Sequence, residues 1–137
     1  DAVRADVFIN CPIAKHHVTT GLTLGMKNLM GVIGGDRSVM HAGFGDKIAD
    51  LNLARPSQLT VLDATRILRA HGPSGGSLLD VARPGVVVAG TNVVAVDAYA
   101  TRFFGARPEQ LPYLVRAAQR GLGPIDLDKV RLREEAL

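Results

Sequence analysis

The stretch Gly85-Val-Val-Val-Ala89 most narrows what this chain can become. It has no polar side chain and three consecutive valines, which suits a strand buried on both faces better than one alternating between core and solvent. Thr91 or Asn92 then stands where a helix cap is needed, ahead of an apolar run from about Val93 to Phe104. Gly105 follows in the position that ends helices with a left-handed residue. A continuous apolar strand leading straight into a helix is the repeating unit of α/β proteins.

Other segments repeat the alternation. Ala5 to Ile13 (ADVFINCPI) reads as a short buried strand ended by Pro12, and Gln58 to Leu62 as a second β segment with Asp63 directly after it. Residues 20–31 read as a helix, because Leu22, Met26, Leu29, Met30 and Ile33 recur near one face; Thr19 or Thr20 would cap it, and Gly34 and Gly35 would end it. A loop over 36–45 precedes a short helix from Asp46 to Leu53, stopped by Pro56. Pro108 to Arg120 is the clearest helix, opened by Pro and closed by Gly121, and Val130 to Leu132 reads as a last strand. The expected fold is a single α/β domain over 1–137, with a small, mostly parallel sheet and helices on both faces, forming one lobe of a larger α/β protein.

Bulk properties remove several function classes. A net charge of +3, with twelve arginines scattered rather than clustered and no Trp, argues against nucleic acid as a partner. No apolar run reaches the roughly 18 residues of a membrane span. One cysteine, Cys11, permits no internal disulfide and no all-cysteine iron–sulfur ligation by this chain alone. The chain begins with Asp1 and shows no signal-peptide pattern. The default expectation for its compartment is the cytoplasm, with export expected if an upstream signal has been removed.

Chemistry concentrates in KHHVTTGLTLGMKNLMGVIGG, residues 15 to 35, where two of four lysines and two of four histidines meet five glycines, and no acid occurs between Val7 and Gly35. In α/β folds ligands gather beyond the C-terminal ends of strands, where helices begin and their free N–H groups favour anions. Lys15, His16, His17, Thr19 and Thr20 fall at such a junction; Gly21 permits close approach, and Lys27 lies one helical turn beyond Thr23 with Asn28 beside it. These residues are the expected anion-binding set, with His17 and Lys27 as candidate catalytic groups. Lys27 as a solvated helix residue, and the histidines as turn residues, is the competing reading. No P-loop, dinucleotide fingerprint or nucleophile elbow is present.

Two carboxylates join the candidates. Asp63 follows a β segment, where it is either a working acid or a turn residue. Asp97 is the only acid between Gly85 and Phe104, and its burial demands either an ion-pair partner or a place in the pocket. His41, in a loop bounded by glycine, is the candidate metal ligand; with His16, His17, Asp63 and Asp97 it would suit a divalent metal such as zinc, iron or nickel. His71-Gly-Pro-Ser-Gly-Gly-Ser77 reads as a turn, or as a phosphate-cradling loop.

Several of these strings together resemble the family catalogued as domain of unknown function 362. They are the "IN-P" strand end with KHH, GLTLGMKNLMGVI, His41, Asp50-Leu51, LTVLDA at 59–64, GP-GG at 72–76, VVAGTNVVAVDAYATRFFG at 87–105 and GLG at 121–123. Members often accompany ferredoxin-like iron–sulfur modules, so the resemblance implies such a partner and a redox or accessory role. It also implies that a preceding αβ region belongs to the family's full form and that this chain corresponds to the C-terminal part. Cys11 stands where the family would have an aliphatic residue. A shorter segment is similar to nickel-pincer lactate racemases: His17, Thr20, Gly21, Thr23, Gly25 and Lys27 keep their spacing. By that likeness Lys27 would carry a cofactor, His17 would act as acid or base and His41 would hold metal; its weaker implication is a shared anion-binding scaffold. Three function classes result: an enzyme or redox accessory acting on an organic anion, a non-catalytic ligand-binding or scaffold module, and a racemase-like enzyme.

Overall fold

The computed structural model, which describes residues 4–136, builds its sheet around one long strand. The strands are β1 (Ile9–Asn10), β2 (Ile13–His17), β3 (Gly21–Thr23), β4 (Leu59–Leu68), β5 (Val81–Ala82) and β6 (Val86–Gly90). The helices are α1 (Gly25–Asn28), α2 (Phe44–Ala54), α3 (Val93–Ala100) and α4 (Pro112–Gln119). Along one edge of β4 run β1 and then β2, both parallel to it; along the other run β6 and β5, both antiparallel. β3 adds to β2 as an antiparallel hairpin. The result is a small α/β domain with a mixed, open sheet.

Thr60, Leu62, Ala64 and Ile67 of β4 turn one side chain after another into the core. That core takes Met26 from α1, Ile48 from α2, Val94, Val96 and Ala100 from α3, and Tyr113, Leu114 and Ala117 from α4, so all four helices share it. The opposite side of the sheet is open among the described residues. Ile13, Asp63 and Val87 form one cross-strand row there, with Ile13 58% and Val87 57% exposed. The triple valine thus has one packed face and one bare face, where its sequence alone called for two packed ones.

Local signals set several boundaries as the sequence indicates. Asn92 caps α3 by accepting the N–H of Ala95 at 3.0 Å, and Gly105 takes a left-handed conformation where the α3 region ends. Pro112 opens α4, after a separate 3-10 turn over Pro108–Gln110. The loop expected over 36–45 contains a 3-10 turn, Arg37–His41, and the helix expected from Asp46 to Leu53 begins two residues earlier, as α2 at Phe44.

The strand expected over Ala5 to Ile13 is broken at Cys11 and Pro12 into β1 and the start of β2, and three further expectations change. Residues 20–24 are not helical: Val18 to Thr20 turn the chain so that β3 pairs back on β2, with His17 opposite Gly21 and Lys15 opposite Thr23. Gly21 supplies the positive φ of 77° that the turn requires, and the β-branched Thr19, Thr20 and Thr23 suit the hairpin better than a helix. The helix reduces to four residues, α1, continued by a 3-10 turn over Leu29–Val32. The strand expected to stop at Leu62 continues to Leu68, because β2, β5 and β6 all supply ladder partners there. Val130 to Leu132 makes no ladder bond and is not a strand. No helix among the described residues is long and apolar enough to cross a membrane.

Candidate functional site

The hairpin gathers several of the candidate residues. Because Lys15 and His17 lie two apart on β2, they project to the same side as Thr23 across the ladder. α1 then brings Lys27 back over Thr23, and Lys27 Nζ donates to Thr23 Oγ1 at 3.1 Å. Lys15, His17, Thr23, Lys27 and Asn28 line one open cleft of about 290 Å³, completed by Met30, Gly31, Arg37 and Pro73. Three cationic side chains and an imidazole therefore share its walls. Among the described residues no carboxylate does.

Lys27 is the unusual member. It is only 7% exposed, and its ammonium meets a hydroxyl and the ring of Phe44, 5.8 Å from Nζ to the centroid. Burial first, and then repulsion from Lys15, lower its pKa to about 8. Asn28 reaches the other way, donating to Asn10 Oδ1 at 2.8 Å, while Asn10 donates to the Gly25 carbonyl at 2.8 Å. This chain of amides ties β1 to α1.

Asp97 lies at the other end of α1. Its carboxyl is fully buried, and its two oxygens accept the N–H groups of Gly25 at 2.7 Å and Met26 at 2.9 Å. The start of α1, which the sequence offered to an external anion, is thus filled by a carboxyl of the protein itself. Neither alternative expected for Asp97, an ion pair or a pocket position, is realised; backbone amides satisfy it instead. Burial pushes its pKa up to about 7 against those two hydrogen bonds. A Cβ on Gly25 would stand 2.8 Å from Asp97 Oδ1, so glycine is required where the carboxyl approaches. The nearby Tyr113 hydroxyl, also fully buried, is raised well above its usual range by burial and then by Asp97.

The remaining candidates disperse. Thr19, Thr20 and Gly21 line a second cleft of about 430 Å³ with Phe44, Gln110 and Arg116. Thr20 spends its hydroxyl on the Leu22 carbonyl, so neither threonine caps a helix. His16 accepts the Gly72 N–H through Nδ1 at 3.2 Å; it anchors the 71–77 loop to β2 and does not line the cationic cleft. Asp63 sits in the middle of β4, where one oxygen accepts from Thr65 N and Oγ1 at 2.8 and 2.6 Å. Those two hydrogen bonds hold its pKa below the usual carboxylate value, and it lines neither cleft. The His41 backbone ends the Arg37–His41 turn, while its side chain lies outside what the structure describes. Among the described residues no three His, Cys, Asp or Glu side chains gather as a metal-binding group.

Sequence reasoning missed Arg37, Phe44 and Asn10. Arg37 and Phe44 come from a segment without periodic signal. Asn10 is flagged only by interrupting the apolar run that starts at Val7.

The comparisons agree with the motifs. The profile of the family described as a domain of unknown function (DUF362) matches residues 1–102. The chain is 30% identical over 132 residues to the thylakoid-associated protein sll1697 of Synechocystis sp. (strain ATCC 27184 / PCC 6803 / Kazusa), covering 90% of this chain and 40% of that protein. It therefore spans about 40% of the length of the relative it matches. No solved structure matches. With the IN-P, GMKN and VDAYAT strings meeting around α1 as one hydrogen-bonded unit, the chain belongs to the DUF362 family.

Proposed function

We propose that this domain binds a small organic acid or phosphate-type anion in the cleft between the β2–β3 hairpin and α1. The observation that carries the reading is Lys27: a nearly buried lysine beside a second lysine, with no carboxylate partner among the described residues. A buried charge without a counter-ion costs several kcal/mol, so the fold tolerates it where an external charge can supply the balance. Lys15 and Arg37 add attraction, Thr23 and Asn28 add directional polar groups, and the cleft's size fits a small molecule rather than a polymer. The anion is held by side chains of the hairpin and α1, not by the helix start.

Binding of inorganic phosphate and of oxalate, measured by isothermal titration, tests this. Wild-type protein binds at least one of them, and Lys27→Met weakens that binding by about 1.5 kcal/mol or more, roughly tenfold, as expected for losing a charged hydrogen bond. Absence of binding to both, or equal binding by Lys27→Met, would overturn the reading. Anion affinity also falls as the pH passes upward through about 8, where Lys27 loses its proton.

A further inference from the structure

We propose that Lys27 is a nucleophilic amine which condenses with the carbonyl carbon of a small 2-oxo acid held in the same cleft, forming an imine and releasing water. The proposal rests on the anion reading for the acid's carboxylate and adds a reaction for the carbonyl beside it.

Geometry gives Lys27 the features such an amine needs. It is nearly buried, yet it lines the cleft, so the cleft is its route to a reactant. Its Nζ is held in place by Thr23 Oγ1 and faces the Phe44 ring, with no carboxylate to keep it protonated among the described residues. Desolvation and a neighbouring cation are the two ways proteins make lysine nucleophilic near neutral pH, and both act on Lys27. Labour then divides across the cleft: Lys15 and Arg37 attract the carboxylate, and neutral Lys27 meets the carbonyl. The chain's other two lysines do not line this cleft and have partners of their own. Lys47 donates to the Val39 carbonyl at 2.6 Å, and Lys129 pairs with Asp126 at 3.3 Å.

The condensation balances without an oxidant or reductant. The Lys27 lone pair attacks the carbonyl carbon, and one nitrogen proton moves to the carbonyl oxygen to give a carbinolamine. The C–O bond then breaks, oxygen leaves as water with the second nitrogen proton, and the C=N bond closes. His17 lines the cleft and is placed to carry these protons. Its Nδ1 accepts the Thr19 N–H at 3.2 Å, which leaves the proton of the neutral ring on Nε2.

Pyruvate and sodium cyanoborohydride, added together to the protein near neutral pH, would convert an imine to a stable secondary amine. Intact-mass measurement followed by peptide mapping then reports which of the four lysines is labelled. The expected result is a reduced adduct concentrated on Lys27, suppressed by excess phosphate and lost in Lys27→Met. Labelling distributed over Lys15, Lys47 and Lys129 instead, or undiminished total labelling in the variant, would overturn the proposal. Mapping of the wild-type protein decides this even if the variant does not fold. Phosphate binding without labelling at Lys27 removes the imine and leaves the anion site; loss of both removes the anion reading as well.

Discussion

Asp97 and Lys27 are both ionisable, both nearly or fully buried and both bound to the four-residue α1, yet the protein treats them in opposite ways. Asp97 receives two backbone N–H groups and sits behind a glycine whose missing side chain makes room for it. Lys27 receives one hydroxyl and an aromatic face, with a second lysine nearby. A buried polar group that is satisfied locks a structure, whereas one left partly unsatisfied marks a place where something external completes it. On the proposed reading the difference separates a residue that holds the fold from one that meets a ligand, although sequence offered both as site candidates.

The largest effect expected from breaking this contrast comes from Asp97→Ala. Two buried N–H groups would lose their acceptors and a cavity would open, costing about 3 kcal/mol or more of stability in chemical denaturation. Next comes pH. The folded-state pKa of Asp97, raised to about 7 from 3.8, means that its contribution is fully present below about pH 4 and is lost as the pH rises through about 7. Wild-type stability should decline across that window, and Asp97→Asn should flatten the decline in thermal melts run as a pH series. Lys27→Met should act in the opposite sense, leaving stability near pH 6 unchanged or raising it by up to ~1 kcal/mol, because an uncompensated buried charge is exchanged for an apolar chain of similar length. A clear loss of stability in that variant would make Lys27 structural and erase the contrast. Asp63→Asn should do least, changing stability by about 0.5 kcal/mol and leaving phosphate affinity intact, since the Asp63 carboxylate accepts its hydrogen bonds from the nearby Thr65 and lines neither cleft.

How much of this was legible in sequence depended on how far apart the deciding partners lie. α3 and α4 could be read because their signals are local: Asn92 and Gly105 at one, Pro108 and Gly121 at the other, although α4 itself starts at Pro112. The cationic cluster was legible for the same reason, as Lys15, His17, Thr23 and Lys27 fall within thirteen residues of one another. Its geometry was not. Leu22 and Met26 fit a helical stripe, and only pairing with β2 makes residues 21–23 a strand. The cost of burying Asp97 was visible, but its partners are 72 and 71 residues away, and nothing local names backbone amides as the answer. The bare sheet face was hidden too, because three valines in a row look the same whether one side or both are packed.

On the proposed reading the Lys27 ammonium, which has no carboxylate partner among the described residues, takes its counter-ion from outside. Lysine-specific NMR observation of the Lys27 side chain, titrated against pH with and without inorganic phosphate, tests it most directly. Lys27 is predicted to lose its proton near pH 8 in the free protein, and at distinctly higher pH once phosphate is bound. A titration at the ordinary lysine position, unmoved by phosphate, would contradict it.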